Sequence, residues 1–153
     1  MRLTLDTTYL LPAIGVAIRG LPRDAAITLL QEGHEITISD ITLFELAAKA
    51  GKLTAAGNLT AERASRGIRA IAHDERIDKT PIHHTPILST AFKLRRLMND
   101  YIDCTILSTA INQTETLVTE DDAIHDLNEQ PKLQEILRTL NPEFKIKRMN
   151  EIL

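Results

Sequence analysis

Apolar and polar positions along this chain switch between a spacing of two and a spacing near 3.6 residues, which divides it into short strands and longer helices. Residues 2–5 read as a first strand, with Leu3 and Leu5 on alternate positions. Asp6, Thr7 and Thr8 offer capping side chains ahead of Tyr9, Leu10 and Leu11, and Gly15 and Gly20 loosen the next segment. A helix is predicted to start at residues 21–24, with Pro22 in its first turn, an apolar face of Ile27, Leu29 and Leu30, and a stop at Gly33. Residues 35–39 form a second predicted strand through Ile36 and Ile38. Ser39 or Asp40 can cap the next helix, whose predicted stripe is Ile41, Phe44 and Ala48 and whose predicted end is Gly51.

Residues 60–73 read as a basic amphipathic helix with Ile68 and Ile71 inward, and residues 76–83 as a short strand through Ile77 and Ile82. Thr85-Pro86 signals a helix start, followed by helical patterns over 87–98 and 102–113. Residues 116–119 form a short apolar strand of the fully buried kind. Residues 121–128 and 132–140 read as helical on either side of Pro131, and residues 144–149 as an edge strand with alternating Lys and Arg. Strands alternating with helices imply an α/β fold, a central parallel sheet in a three-layer α/β/α arrangement. No linker, repeat or low-complexity stretch interrupts it, so one domain is expected over residues 1–153.

Composition narrows the functions. Aromatic residues make up 3% of the chain and Trp is absent, so the core must come from Leu, Ile, Val and Ala, and heavy use of base stacking is not expected. A net charge of −3 excludes binding nucleic acid by bulk positive charge. The one cysteine, Cys104, excludes an intrachain disulfide and a cysteine-based zinc site, and reads as buried filler. No apolar run is long enough to span a membrane and the first residues lack a signal-peptide pattern, so the cytoplasm is the expected compartment.

Four acids stand where such a fold builds a crevice. Asp6 ends the first strand, Glu45 lies in the helix after the second, Asp103 opens a helix, and Asp121 follows the strand at 116–119. Clustered carboxylates repel unless a cation neutralises them. Hard oxygen donors of this type suit a divalent ion such as Mg²⁺, which orients and acidifies water and steadies charge on phosphoryl oxygens. The leading expectation is therefore metal-assisted phosphodiester cleavage. Each acid also has a plain structural alternative. Asp6 can cap a helix, Glu45 can pair with Lys49, Asp103 can sit favourably at a helix N-terminus, and Asp121 can be a turn residue.

The local sequences around these acids carry a resemblance. Leu3-Thr4-Leu5-Asp6-Thr7-Thr8, Ile38-Ser39-Asp40-Ile41-Thr42-Leu43-Phe44-Glu45-Leu46-Ala47, Tyr101-Ile102-Asp103-Cys104-Thr105-Ile106-Leu107-Ser108-Thr109-Ala110 and Thr116-Leu117-Val118-Thr119-Glu120-Asp121 resemble, in order, the four motifs of PIN domains. The resemblance implies a PIN-like fold and a metal-dependent endoribonuclease related to VapC-type toxins. It implies that Asp6, Glu45, Asp103 and Asp121 hold Mg²⁺ or Mn²⁺, with Thr7 and Thr119 supporting the carboxylates by hydrogen bonds. It also implies an RNA substrate, an antitoxin partner in a toxin setting, and a homodimer. Asp122 competes with Asp121, and Asp100 with Asp103; the spacing from Thr119 and the small-residue run at 105–110 favour Asp121 and Asp103. Residues 51–86 are longer and more polar than a minimal toxin of this kind needs, so substrate or partner recognition is expected to differ there.

Arg63, Arg66 and Arg69 recur every three residues and can meet RNA phosphate, although a solvated helix face explains them better. Lys93, Arg95 and Arg96 have the same standing. His83 and His84 are adjacent and diverge in an extended chain, and His34, His73 and His125 show no ligand spacing. Two other classes of function compete. One is a non-catalytic PIN-fold module that binds RNA or protein. The other is an aspartyl phosphatase with Asp6 as nucleophile, which would want an acid where Thr8 stands.

Overall fold

Five short strands carry the architecture: β1 (Arg2–Leu5), β2 (Glu35–Ser39), β3 (Ile77–Thr80), β4 (Thr116–Val118) and β5 (Lys145–Lys147). In the computed structural model, which describes residues 1–153, they line up in the order β3-β2-β1-β4-β5 with every neighbouring pair parallel. Seven α-helices make the crossovers: α1 (Ala25–Gln31), α2 (Asp40–Ala55), α3 (Ala61–His73), α4 (Thr85–Leu94), α5 (Tyr101–Gln113), α6 (Asp122–Asp126) and α7 (Pro131–Leu140). The chain works outward from β1 through β2 to β3, then returns to β4 on β1's other flank. The switch point thus lies between β1 and β4, where open α/β sheets place their ligands.

Both faces of the sheet are covered, and the alternation of β1 and β2 is buried on both sides, with Thr4 and Thr37 between the apolar residues. Leu3, Leu5, Ile36, Ile38 and Val118 point into one core, packed under α1, α2, α3 and the 3-10 helix Thr7–Ile14. Leu117 and Ile146 point into a second core beneath α4, α5, α6 and α7. Thr4 lies buried in β1, where its hydroxyl meets the Thr114 hydroxyl at 2.8 Å and so costs little. No helix is long and apolar enough to cross a membrane.

Several helix details differ from the pattern. α2 buries Thr42, Leu46 and Ala50 rather than Ile41, Phe44 and Ala48, and Phe44 is 64% exposed. Nor does Gly51 end it: the helix continues to Ala55, because an interior glycine only lowers helix propensity. α1 begins at Ala25 and turns Ile27 outward. Ile82 lies past the end of β3, and α4 stops at Leu94. Although aromatics are scarce, Phe44, Phe92 and Tyr101 are all exposed, and the last two stack with centroids 6.2 Å apart.

The 3-10 helix Thr7–Ile14 and α3 approach unusually closely. A Cβ on Gly67 would stand 2.1 Å from the Ala13 carbonyl oxygen, so only glycine fits. The Arg63 guanidinium donates to that same carbonyl and to Pro12 O at 3.5 Å, locking the two helices together.

Candidate active site

Asp6 is the anchor of the crevice. It caps the 3-10 helix, with Oδ1 accepting the Thr7 N–H at 2.7 Å. Its Oδ2 accepts the Thr119 hydroxyl at 2.7 Å across the β1–β4 switch point. The same Thr119 hydroxyl accepts the Asp121 N–H at 3.1 Å, and the Thr7 hydroxyl donates to Glu45 Oε2. Two threonines therefore tie three acids into one network. Both are buried, so their rotamers are fixed by packing.

The other acids reach the crevice from three further elements. Glu45 lies on α2 and also faces Lys49 Nζ at 3.7 Å. Asp121 caps α6, with Oδ1 accepting the Ala123 N–H at 2.7 Å and the Ile124 N–H at 3.3 Å. Its neighbour Asp122 is exposed and meets Arg148 Nη2 at 2.5 Å. At α5 the cap is Asp100, which accepts the Ile102 N–H at 2.9 Å and the Asp103 N–H at 3.3 Å. Asp103 itself stands in the helix's first turn rather than opening it.

Electrostatics single out two of these carboxyls. Burial pushes Asp6 above its ordinary value, and repulsion from Glu45 and Asp121 adds to that, while the bonds from Thr119 and Thr7 pull the other way. Asp103 is pushed up to about 7, first by burial and then by Asp100, Asp6, Asp121 and Glu45. Asp6, Glu45 and Asp121 each have a hydrogen-bonding or pairing role besides charge. Asp103 has none: every cause acting on its carboxyl raises it, and nothing offsets the four neighbouring acids.

No group of three or more His, Cys, Asp or Glu side chains is drawn in tightly enough to hold an ion directly. The donors nevertheless fit a hard divalent cation that keeps much of its water and meets only one or two carboxylates. Two hydroxyls on the elements that lead to Glu45 lack partners. Ser39 Oγ and Thr42 Oγ1 are fully buried and have no partner. Ser39 ends β2, and continuing the β1–β2 register by two residues sets it beside Asp6. Thr42 lies one helical turn before Glu45. The spacing Ser39-x-x-Thr42-x-x-Glu45 was the available sequence signal for both.

The remaining candidates scatter. Arg63 is committed to the Pro12 and Ala13 carbonyls and Arg66 to Glu62 at 2.7 Å, while Arg69 is exposed. Arg95 bonds Met98 O at 3.3 Å; Lys93 and Arg96 share an open groove with Lys132. His83 and His84 are exposed and stack edge-on at 5.3 Å. His125 Nε2 meets Thr119 O at 2.8 Å, a contact invisible in its spacing. Cys104 is fully buried, and burial pushes its thiol up to about 11, which leaves it inert.

The fold has counterparts among solved structures. VapBC2 from Rickettsia felis, solved bound to a DNA fragment from its promoter, aligns over 97% of this chain and 98% of that chain at TM-score 0.59 and 19% identity. A toxin-antitoxin complex from Klebsiella pneumoniae aligns over 85% of this chain and 93% of that chain at TM-score 0.57 and 22% identity. FitAcB from Neisseria gonorrhoeae aligns over 96% and 97% at TM-score 0.57 and 16% identity. No curated protein sequence matches the chain. The sequence model of the PIN domain matches residues 3–130, a span that holds all four acids and both threonines. With that match across most of its length, and with this sheet order, the chain belongs to the PIN domain family.

Proposed function

We propose that this protein is a Mg²⁺- or Mn²⁺-dependent endoribonuclease, acting as the toxin of a toxin–antitoxin pair. The observation that carries the reading is Asp103, a carboxyl held near 7 among four acids with nothing to compensate it. Such an arrangement costs folding stability, and perturbed groups of this kind concentrate at functional sites. Bound among Asp6, Glu45, Asp103 and Asp121, the cation would neutralise them, activate water and steady charge on the phosphate.

The chain's own residues supply the rest. Asp6, fixed through both oxygens by Thr7 and Thr119, presents its carboxylate in one orientation. Glu45 is aimed by the Thr7 hydroxyl, and Asp121 keeps one oxygen clear of its helix cap. Asp103, raised by burial and by its acidic neighbours, would be drawn into its ionised form by the cation and so couple cation binding to proton release. Arg69 is the uncommitted exposed cation of the α3 stripe that would meet RNA phosphate, Arg66 would do so on leaving Glu62, and Arg63 contributes by holding that helix in place. A bound antitoxin peptide, supported by the likeness to toxin-antitoxin structures, and a homodimer complete the proposed setting.

A non-catalytic RNA- or protein-binding module is the second reading. It is favoured by the lack of any three acids close enough to ligate one ion directly. The test is cleavage of a mixed-sequence single-stranded RNA by purified protein with Mg²⁺, Mn²⁺ or EDTA, beside Asp6→Asn. Metal-dependent cutting that disappears in Asp6→Asn is the expected result. No cutting, together with no heat of Mn²⁺ binding, would hand the protein to the second reading.

A further inference from the structure

The family match ends at residue 130, yet the chain continues through α7, β5 and a last 3-10 turn, Met149–Glu151. That final segment returns to the acidic crevice. Thr119 N–H donates to Lys147 O at 3.0 Å, which docks β5 beside the loop leading to Asp121. Arg148 then grips both neighbours of Asp121. Its Nη1 donates to Glu120 O at 2.9 Å and reaches Glu120 Oε2 at 3.3 Å, while Nη2 meets Asp122 Oδ1 at 2.5 Å.

The grip is itself braced. Arg148 N–H donates to Glu151 Oε2 at 2.7 Å, which fixes the start of the last turn. Glu120 Oε1 accepts the Tyr9 hydroxyl at 2.7 Å and the Met149 N–H at 3.1 Å. Tyr9 belongs to the 3-10 helix that Asp6 caps. The loop carrying Asp121 is thus held from two sides, by the start of the chain and by its end.

We propose that Arg148 is a positioning residue for Asp121, so that residues 131–153 complete the site instead of merely extending the fold. This rests on the metal-dependent reading of the four acids. The planar guanidinium spans a carbonyl and two carboxylates at once, which a lysine ammonium cannot reproduce. Groups that hold a metal-binding carboxylate in place typically govern affinity by 10- to 100-fold. Arg148 also brings positive charge close to the crevice. If charge were its whole contribution, removing it would make the site more negative and tighten cation binding. Positioning predicts the opposite sign.

The experiment is a calorimetric Mn²⁺ titration of the full chain as wild type, Arg148→Met, Arg148→Lys and Asp121→Asn, with hydrogen exchange of the backbone amides alongside. Arg148→Met should weaken Mn²⁺ binding about tenfold and speed exchange at Ala123 and Ile124, whose N–H groups rest on Asp121. Exchange in β1 and β2 should not change. Arg148→Lys should stay close to Arg148→Met, and carries the same test if the methionine variant does not fold. Wild-type or tighter binding in the Arg148 variants, with Asp121→Asn weakened, overturns the positioning role and leaves the metal site standing. Faster exchange spread evenly over the sheet overturns it in favour of general stabilisation. Absence of Mn²⁺ binding in the wild type and Asp121→Asn alike removes the metal reading and this inference with it.

Discussion

Replacing Asp103 with Asn should make the cation-free protein more stable while abolishing its proposed activity. The carboxyl moves from an ordinary 3.8 to about 7 on folding, through burial first and then through Asp100, Asp6, Asp121 and Glu45. The folded-state value lies above the unfolded one. Its contribution to stability is therefore fully present below about 4, falls as pH rises, and is gone above about 7. A wholly desolvated carboxyl with that displacement would cost about 4 kcal/mol. Asp103 keeps part of its hydration, and screening reduces the realised cost to about 1–2 kcal/mol. Asn has the same shape and no charge, so it escapes this term. Urea unfolding in EDTA between pH 5 and pH 8 measures it. The wild type should lose stability across that range more steeply than Asp103→Asn, and the variant should be the more stable at pH 8. A variant less stable than the wild type at pH 8 would mean that Asp103 makes favourable contacts, and the argument from uncompensated repulsion would fail.

Other perturbations probe the surrounding structure. Thr119→Val keeps the side-chain volume but removes the bond to Asp6, and should weaken Mn²⁺ binding by calorimetry about tenfold, while Thr119→Ser retains it. Gly67→Ala forces α3 away from the Ala13 carbonyl and should cost about 3 kcal/mol in urea unfolding; a change below about 0.5 kcal/mol would show that the helices separate freely. Saturating Mn²⁺ at about 100 times its Kd should stabilise the wild type by about 2.7 kcal/mol, read as a rise in Tm that EDTA reverses and that Asp103→Asn lacks.

The sheet and its crevice were legible because strand signals here are strong and local. β1 and β2 alternate apolar residues with threonine, β4 is short and buried, and each is followed by a residue suited to cap a helix, a grammar that locates Asp6 and Asp121 at strand ends but leaves Asp103, which follows a helix and lies behind the Asp100 cap, to the resemblance. Helix faces were harder to read. The stripe Ile41, Phe44 and Ala48 is apolar in composition, yet the helix buries Thr42, Leu46 and Ala50, because it packs chiefly against α3, the 3-10 helix and α5, and the face turned to them is set by those neighbours and not by its own pattern. The Arg148 grip could not be read at all. It joins residues 26 and 28 apart in sequence through a fork of hydrogen bonds, and no periodicity encodes such a contact. Ser39 and Thr42 lay in plain view as a three-residue spacing ahead of Glu45, but hydroxyls without partners are recognisable only once burial is known.

The central position of β1 also sets a clock. It is the first strand to leave the ribosome, but one of its flanks waits for β4, and Asp6 waits for a threonine 113 residues later. At ordinary rates of synthesis that interval lasts roughly 6–23 s. Until then the first carboxylate lacks its Thr119 bond, and the Asp121 turn and its arginine have not been made. For a chain with the proposed activity on RNA, assembly order alone would keep the blade unsharpened throughout that interval, close to the RNA-built machine producing it.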